Sequence, residues 1–165
     1  MKYQTNESLG PFINHWGCNL CSILEKVEVT SVRHGKPFKF SNSDVGGVYL
    51  TAMRHGIVQN EVRSEDGEPL DGCLVYNGKS LFNLCATMFD LPIECVEMRT
   101  EVKDYKPKPG EEEILELKRH GMEGSHFVSG NGNGGIEFDP IEGGSKCAQV
   151  GWIESKRIYV VRKRA

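Results

Sequence analysis

No stretch of this sequence approaches the ~20 consecutive apolar residues that a membrane-spanning helix requires, so an integral helical membrane protein is not expected. Charge of one sign is lacking too: 20 Lys and Arg stand against 23 Asp and Glu, for a formal net charge of -3. A chain this evenly balanced has no overall field to draw nucleic acid or an anionic membrane surface to it. The basic residues near the end, Lys156-Arg157 and Arg162-Lys163-Arg164, are few and interleaved with apolar ones, which predicts a solvated strand edge and terminus. The opening Met1-Lys2-Tyr3-Gln4 lacks the charged-then-apolar pattern of a secretory signal, which makes the cytoplasm the expected location. In that compartment the six cysteines are expected to be reduced. A second cysteine pair is also missing. Cys18-Asn19-Leu20-Cys21 has the spacing of half a zinc site, but Cys73, Cys85, Cys95 and Cys147 stand apart from one another, so no metal or other cofactor is expected.

At 165 residues, with 38% hydrophobic and 26% charged residues, the chain has the size and composition of one globular domain spanning 1–165. Between Trp16 and Val29, apolar residues at Leu20, Ile23, Leu24 and Val27 keep a period near 3.6 and predict a helix opening at Gly17-Cys18. Ser41-Asn42-Ser43-Asp44 resembles a cap cluster for a second helix ending at Gly56. The stretch from Val58 to Asp71 reads as polar and turn-rich, with a short strand at Leu74-Val75-Tyr76 and a turn at Asn77-Gly78. A third helix follows, carrying Leu81, Leu84, Cys85, Met88 and Phe89, and then a strand around Cys95–Met98. Lys103 to Glu113 is proline-rich and reads as a surface loop placed to border a cleft. Strands are expected at Ile114–Leu117, His126–Ser129, Ile136–Phe138 and Arg157–Val161. Helices lead and strands follow, which predicts α+β, with N-terminal helices packed on a C-terminal antiparallel sheet.

A thiol becomes a strong nucleophile as thiolate, and a helix N-terminus with an imidazolium beside it favours that form. Gly17-Cys18 supplies the helix start, with a glycine that lets a carbonyl approach the first turn, where free backbone N–H groups stabilise an oxyanion. His126, in Gly124-Ser125-His126-Phe127-Val128, opens a predicted strand. Asp139, in Phe138-Asp139-Pro140, closes the next one across the hairpin Asn131-Gly132-Asn133-Gly134-Gly135. Antiparallel pairing of those strands would set the carboxylate beside the imidazole.

An upstream glutamine, Gly-Cys at a helix start, then late His-Phe-Val and Asp-Pro, resembles the order found in papain-like cysteine peptidases. The similarity extends to bacteriocin-leader (double-glycine) peptidase domains and to small bacterial and phage-borne papain-like proteins. It spans nearly the whole chain, though Gln4, Gly17-Cys18, His126-Phe127-Val128 and Asp139-Pro140 alone carry it. The resemblance implies a papain-like fold and a thiol protease or related hydrolase. Cys18 is then the nucleophile, His126 the general base and acid, Asp139 the orienting group and Gln4 an oxyanion donor. Thr5 to Trp16 is a long spacer, which leaves Asn14 and Asn19 as alternative donors. Cys21 is the competing nucleophile, and Gly17 directly before Cys18 favours Cys18. Trp152, after Gly151, is placed to lie over the imidazole or to fill core.

The expected partner is a polypeptide or peptide-like substrate, with no nucleic acid and no membrane. Two other functions remain open on the sequence. One is a catalytically silent binding module on the same scaffold, such as a phage-encoded inhibitor of a host protein. The other is a glutamine deamidase or transamidase using the same three residues. Cys85 and Cys95 read as core, His15, His34, His55 and His120 as solvent-facing, and the glycine-rich stretch 130–135 as a hairpin turn, because phosphate loops lead into a helix.

Overall fold

The computed structural model describes residues 3–9, 13, 17–63, 65–66, 69–122 and 124–165, with backbone alone at 60–63 and 69–72. Trp16, Asn14 and His15 lie outside the described residues. After a single 3-10 turn at Glu7–Leu9, helix α1 runs Cys18–Arg33 and α2 Asn42–Arg54. A hairpin of β1 (Val58–Arg63) and β2 (Pro69–Val75) precedes α3 (Gly78–Met88). Strands β3 (Ile93–Val102), β4 (Glu111–Lys118), β5 (His126–Gly130) and β6 (Ile136–Phe138) follow, then a short α4 (Lys146–Val150) and β7 (Trp152–Lys163). The class is α+β: among the described residues, four α-helices accompany a five-stranded antiparallel sheet in the order β3-β7-β4-β5-β6 and the separate β1-β2 ribbon.

Helix α1 forms where its apolar period predicts. Leu20, Ile23, Leu24 and Val27 are fully buried, and four such side chains contribute on the order of 6–12 kcal/mol before the chain entropy that opposes them. Helix α2 starts with a reciprocal cap, since the Ser41 side chain accepts from the Asp44 N–H and Asp44 accepts from the Ser41 N–H. It ends at His55, followed by Gly56 at φ 68°.

Three expectations need correction. Val58–Asp71 is mostly a β-hairpin, because the two runs satisfy each other's backbone in register from Val58↔Val75 to Arg63↔Pro69 although the first of them is mostly polar in sequence. Asn77 does not make a turn; its side chain accepts from the Ser80 N–H and caps α3. The basic stretch at Lys156-Arg157 is no sheet edge either, as β7 is paired on both sides, by β3 and β4. Lys156 is buried there, donating to Glu113 at 2.9 Å and to the Tyr105 carbonyl at 2.8 Å. Cys85 and Cys95 are buried, as expected of core thiols.

Helix α1 lies along β5 and is tied to it at successive levels. Ser22 Oγ donates to the Phe127 carbonyl at 3.1 Å, Ser129 Oγ to Glu25 Oε2 at 2.6 Å, and Lys26 Nζ to the Gly130 carbonyl at 2.7 Å. Eight residues of helix rise about 12 Å and four of strand advance about 13 Å. Pairing Lys26 with Gly130 therefore brings Cys18, eight residues earlier, level with His126, four residues earlier. Lys26 is 2% exposed and also bridges Glu137 at 2.8 Å and Glu112 at 3.3 Å. Removing one member of such a buried pair costs about 3–5 kcal/mol, which makes this register hard to slip.

Candidate active site

Cys18 is the first residue of α1, with Gly17 as the cap residue. The glycine at 17 answers to packing. A Cβ there would lie 2.5 Å from the Ile13 carbonyl oxygen, which accepts the Gly17 N–H at 2.9 Å. Its φ of -81° is open to any residue, so the close approach of the preceding turn, and not backbone freedom, excludes a side chain. Of the two competing thiols, Cys18 is partly accessible while Cys21 is completely buried, and burial above all raises the Cys21 thiol well beyond its ordinary range.

His126 opens β5 opposite Leu117 and is 6% exposed. Its Nε2 lies 2.8 Å from Asp139 Oδ1, which leaves Nδ1 as the ring nitrogen available to sulfur. Burial works against the imidazolium, but the hydrogen bond with Asp139, and after it one with the Cys18 side chain, overcome burial and raise His126 to about 9. Cys18, His126 and Asp139 therefore meet at one end of the α1–β5 contact.

Asp139 is itself held from several sides. Its Oδ1 accepts from the Ile141 N–H at 3.0 Å, and its Oδ2 accepts from the Ser145 N–H at 2.9 Å and the Ser145 hydroxyl at 2.5 Å. Burial would lift this carboxyl, but the hydrogen bonds of His126, Ser145 and Ile141 prevail and lower it to about 2. Ser145 was not singled out from sequence. It also caps α4, accepting from the Ala148 N–H at 3.1 Å, and a serine after the Gly143-Gly144 turn is the sequence signal by which it could have been found.

No family model, curated protein or solved structure matches this chain.

Gln4 is brought to the same neighbourhood although it is far from Cys18 in sequence. Its N–H donates to the Pro140 carbonyl at 2.9 Å, and the Tyr3 ring stacks on Phe138 with centroids 5.7 Å apart, so the N-terminal segment is docked on the strand end that carries Asp139. Of the alternative donors, Asn14 lies outside the described residues. Asn19 has its side-chain oxygen buried with no hydrogen-bond partner among the described residues.

Trp152 departs from its expected place. It is 41% exposed, its ring meets His120 with centroids 5.0 Å apart, and its Nε1 donates to Glu154 at 3.0 Å. It sits opposite Lys118, at the end of β4 beyond His126's neighbour Leu117, with its ring against His120 in the segment between β4 and β5. His120 is exposed as expected, but it is engaged by this ring. The expected Lys103–Glu113 loop is shorter, since Glu111–Glu113 already belong to β4 with Glu112 and Glu113 buried, and the remaining 103–110 stretch borders clefts. One of about 380 Å³ is lined by Lys103, Tyr105 and Lys156, and another of about 200 Å³ by Lys108, Glu111 and Lys26; neither is lined by Cys18, His126 or Asp139. Among the described residues no group of His, Cys, Asp and Glu has the arrangement of a metal site, and no helix is long and apolar enough to cross a membrane.

Proposed function

We propose that this protein is a cysteine-dependent hydrolase of papain-like architecture, acting by acyl transfer on a peptide or isopeptide bond. One observation carries the proposal: an imidazole bonded through Nε2 to a carboxylate held by three further donors, with the side chain of Cys18, the first residue of a helix, near enough to act on the ring. The helix bearing the thiol packs on an antiparallel sheet bearing the histidine and then the aspartate, in the chain order of papain-like peptidases.

In the proposed mechanism the Cys18 thiolate attacks the substrate carbonyl carbon, and the carbonyl π electrons move onto oxygen. The Cys18 N–H, at the start of α1, is assigned as one oxyanion donor. The Gln4 side-chain amide is assigned as the other. His126, as imidazolium, gives its proton to the departing amine, and the C–N bond breaks to leave a thioester on Cys18. His126 then takes a proton from water, which attacks the thioester and restores the thiolate. Asp139 keeps the ring oriented throughout and stabilises its positive charge.

The test is alkylation of the native protein with iodoacetamide at about pH 6, where unactivated thiols are almost wholly protonated, followed by mass mapping of all six cysteines. Cys18 should react first and lose that preference in His126→Ala. Uniform slow labelling of the accessible thiols would overturn the proposal. Comparison of wild type with Cys18→Ala on a peptide library then reads turnover directly.

A further inference from the structure

In the proposed mechanism His126 hands its proton to the departing amine, so the part of the substrate that leaves lies on the His126 side of Cys18. What flanks His126 there follows from the sheet. His126 pairs with Leu117 on β4, and Leu117 packs with Leu115, Val128 and Cys147 in a small second core, with Met122 and Ile153 against it. His126, two residues before Val128, shares that face by strand alternation. Two further elements therefore flank the imidazole: α4, which carries Cys147, and the turn that follows β4, which carries Met122.

Arg119 opens that turn, one residue past β4 and next after Leu117 in the alternation. The turn is fixed at three points. The Met122 N–H donates to the Arg119 carbonyl at 3.3 Å, Met122 Sδ lies 3.3 Å from Cys147 Sγ, and the His120 ring meets Trp152. Burial raises the Cys147 thiol, the Arg119 charge and hydrogen bond act against that, and Asp139 and Cys18 raise it further, so all three groups lie within reach of the same sulfur. Arg33, Arg99, Arg157, Arg162 and Arg164 each bridge a carboxylate, whereas none among the described residues bridges Arg119. Of the carboxylates nearby, Asp139 is committed to His126 and Ser145, and Glu154 accepts from Trp152 Nε1. Lys146, exposed at the start of α4, adds charge of the same sign as Arg119.

We propose that Arg119 is a specificity-determining residue, selecting polypeptide substrates with aspartate or glutamate at the first or second position after the scissile bond. A guanidinium grips a carboxylate through two parallel N–H···O bonds. An arginine already paired would first have to release its own carboxylate, and Arg119 has none to release. Each extended residue advances the chain by about 3.3–3.6 Å, so the positions next to the bond are the ones that pass the 119–122 turn. The proposal rests on the hydrolase mechanism, because departure of the amine at His126 fixes which side of the bond faces Arg119.

A library of peptides of random sequence is digested with the native protein, and the newly formed N-termini are sequenced by mass spectrometry. Wild type should favour Asp and Glu over Asn and Gln in their first two positions by about tenfold or more, as one charge-assisted contact provides. Arg119→Lys should keep the sign of that preference, and Arg119→Glu should turn it toward Lys and Arg, which loss of a merely structural contact would not do. An absent preference, one on the other side of the bond, or one that Arg119→Glu leaves in place overturns the proposal. A second readout needs no turnover. The rate of Cys18 alkylation by anionic iodoacetate, relative to neutral iodoacetamide, should fall severalfold from wild type to Arg119→Glu, and an unchanged ratio overturns the proposal as well. Failure of the hydrolase mechanism shows separately, as iodoacetamide alkylation of Cys18 indifferent to His126→Ala.

Discussion

Replacing Asp139 by asparagine keeps an oxygen for His126 but removes the charge behind the ring. In the wild type, burial pulls the imidazolium down, the Asp139 hydrogen bond and then the Cys18 one push it up, and the outcome is a rise from 6.5 to about 9. A shift of about 2.5 units corresponds to on the order of 3 kcal/mol favouring the charged ring. The Asp139 hydrogen bond is the largest of the favourable contributions, so Asp139→Asn should lower the His126 midpoint by at least about one unit, a tenfold change in the imidazolium equilibrium. Stability should follow. The folded value of His126 lies above its ordinary value, so the ion pair contributes fully below about pH 6.5 and is lost as pH rises through about 9. The folded value of Asp139 lies below 3.8, so the same pair is intact above that pH and lost as pH falls through about 2. These are two edges of one ion pair, and its energy is counted once. The unfolding free energies of wild type and Asp139→Asn should therefore differ most between about pH 4 and 6.5 and converge on both sides. NMR of the histidine ring nitrogens across roughly pH 5 to 10 reads the midpoint, and urea unfolding at matched pH reads the energy. A wild-type midpoint near the ordinary histidine value, or a variant titrating with the wild type, would refute the reasoning.

Two further substitutions test the surroundings of the site. Ser145→Ala removes the 2.5 Å hydroxyl bond to Asp139 and the cap on Ala148 while keeping the backbone bond; it should cost about 1–3 kcal/mol. It should also move the acid-unfolding edge to higher pH as Asp139 rises from about 2. If Ser145 acts only as a helix cap, stability falls but the pH profile of Cys18 alkylation stays put; if it positions Asp139, both change. Glu25, on α1 and 7% exposed, is raised by burial to about 7 despite the Ser129 hydrogen bond, so wild-type stability should decline as pH rises from about 4.5 through 7. Glu25→Gln should gain on the wild type across that window by up to about 3 kcal/mol, read by urea unfolding at either end, and a pH-independent difference would contradict the assignment.

Much of the secondary structure was legible because it rests on local periodicity and caps. Leu20, Ile23, Leu24 and Val27 mark α1, Ser41 with Asp44 opens α2, and the alternating stretches before and after the glycine-rich turn become β5 and β6. The β1–β2 ribbon was not legible, since β1 is mostly polar and what joins it to β2 is backbone pairing between two separate runs. Helix α4 is too short for a period to show, and Asn77 reads equally as turn or cap until the chain after it is seen to be helical.

By itself, the sequence determined which groups were available for chemistry: a thiol after glycine at a helix start, and a histidine and an aspartate at the limits of two strands joined by a hairpin. Those properties are short-range. Only the tertiary structure decided that the three groups share one site. Their meeting depends on the lateral register of α1 on β5, set by Ser22, Glu25 and Lys26 through contacts more than a hundred residues apart in sequence. It likewise decided that Gln4 reaches the Asp139 strand end, that Trp152 faces His120, and that Lys156 lies inside the sheet. Composition and spacing carry no trace of which distant segment will neutralise a buried charge, because that is settled by packing.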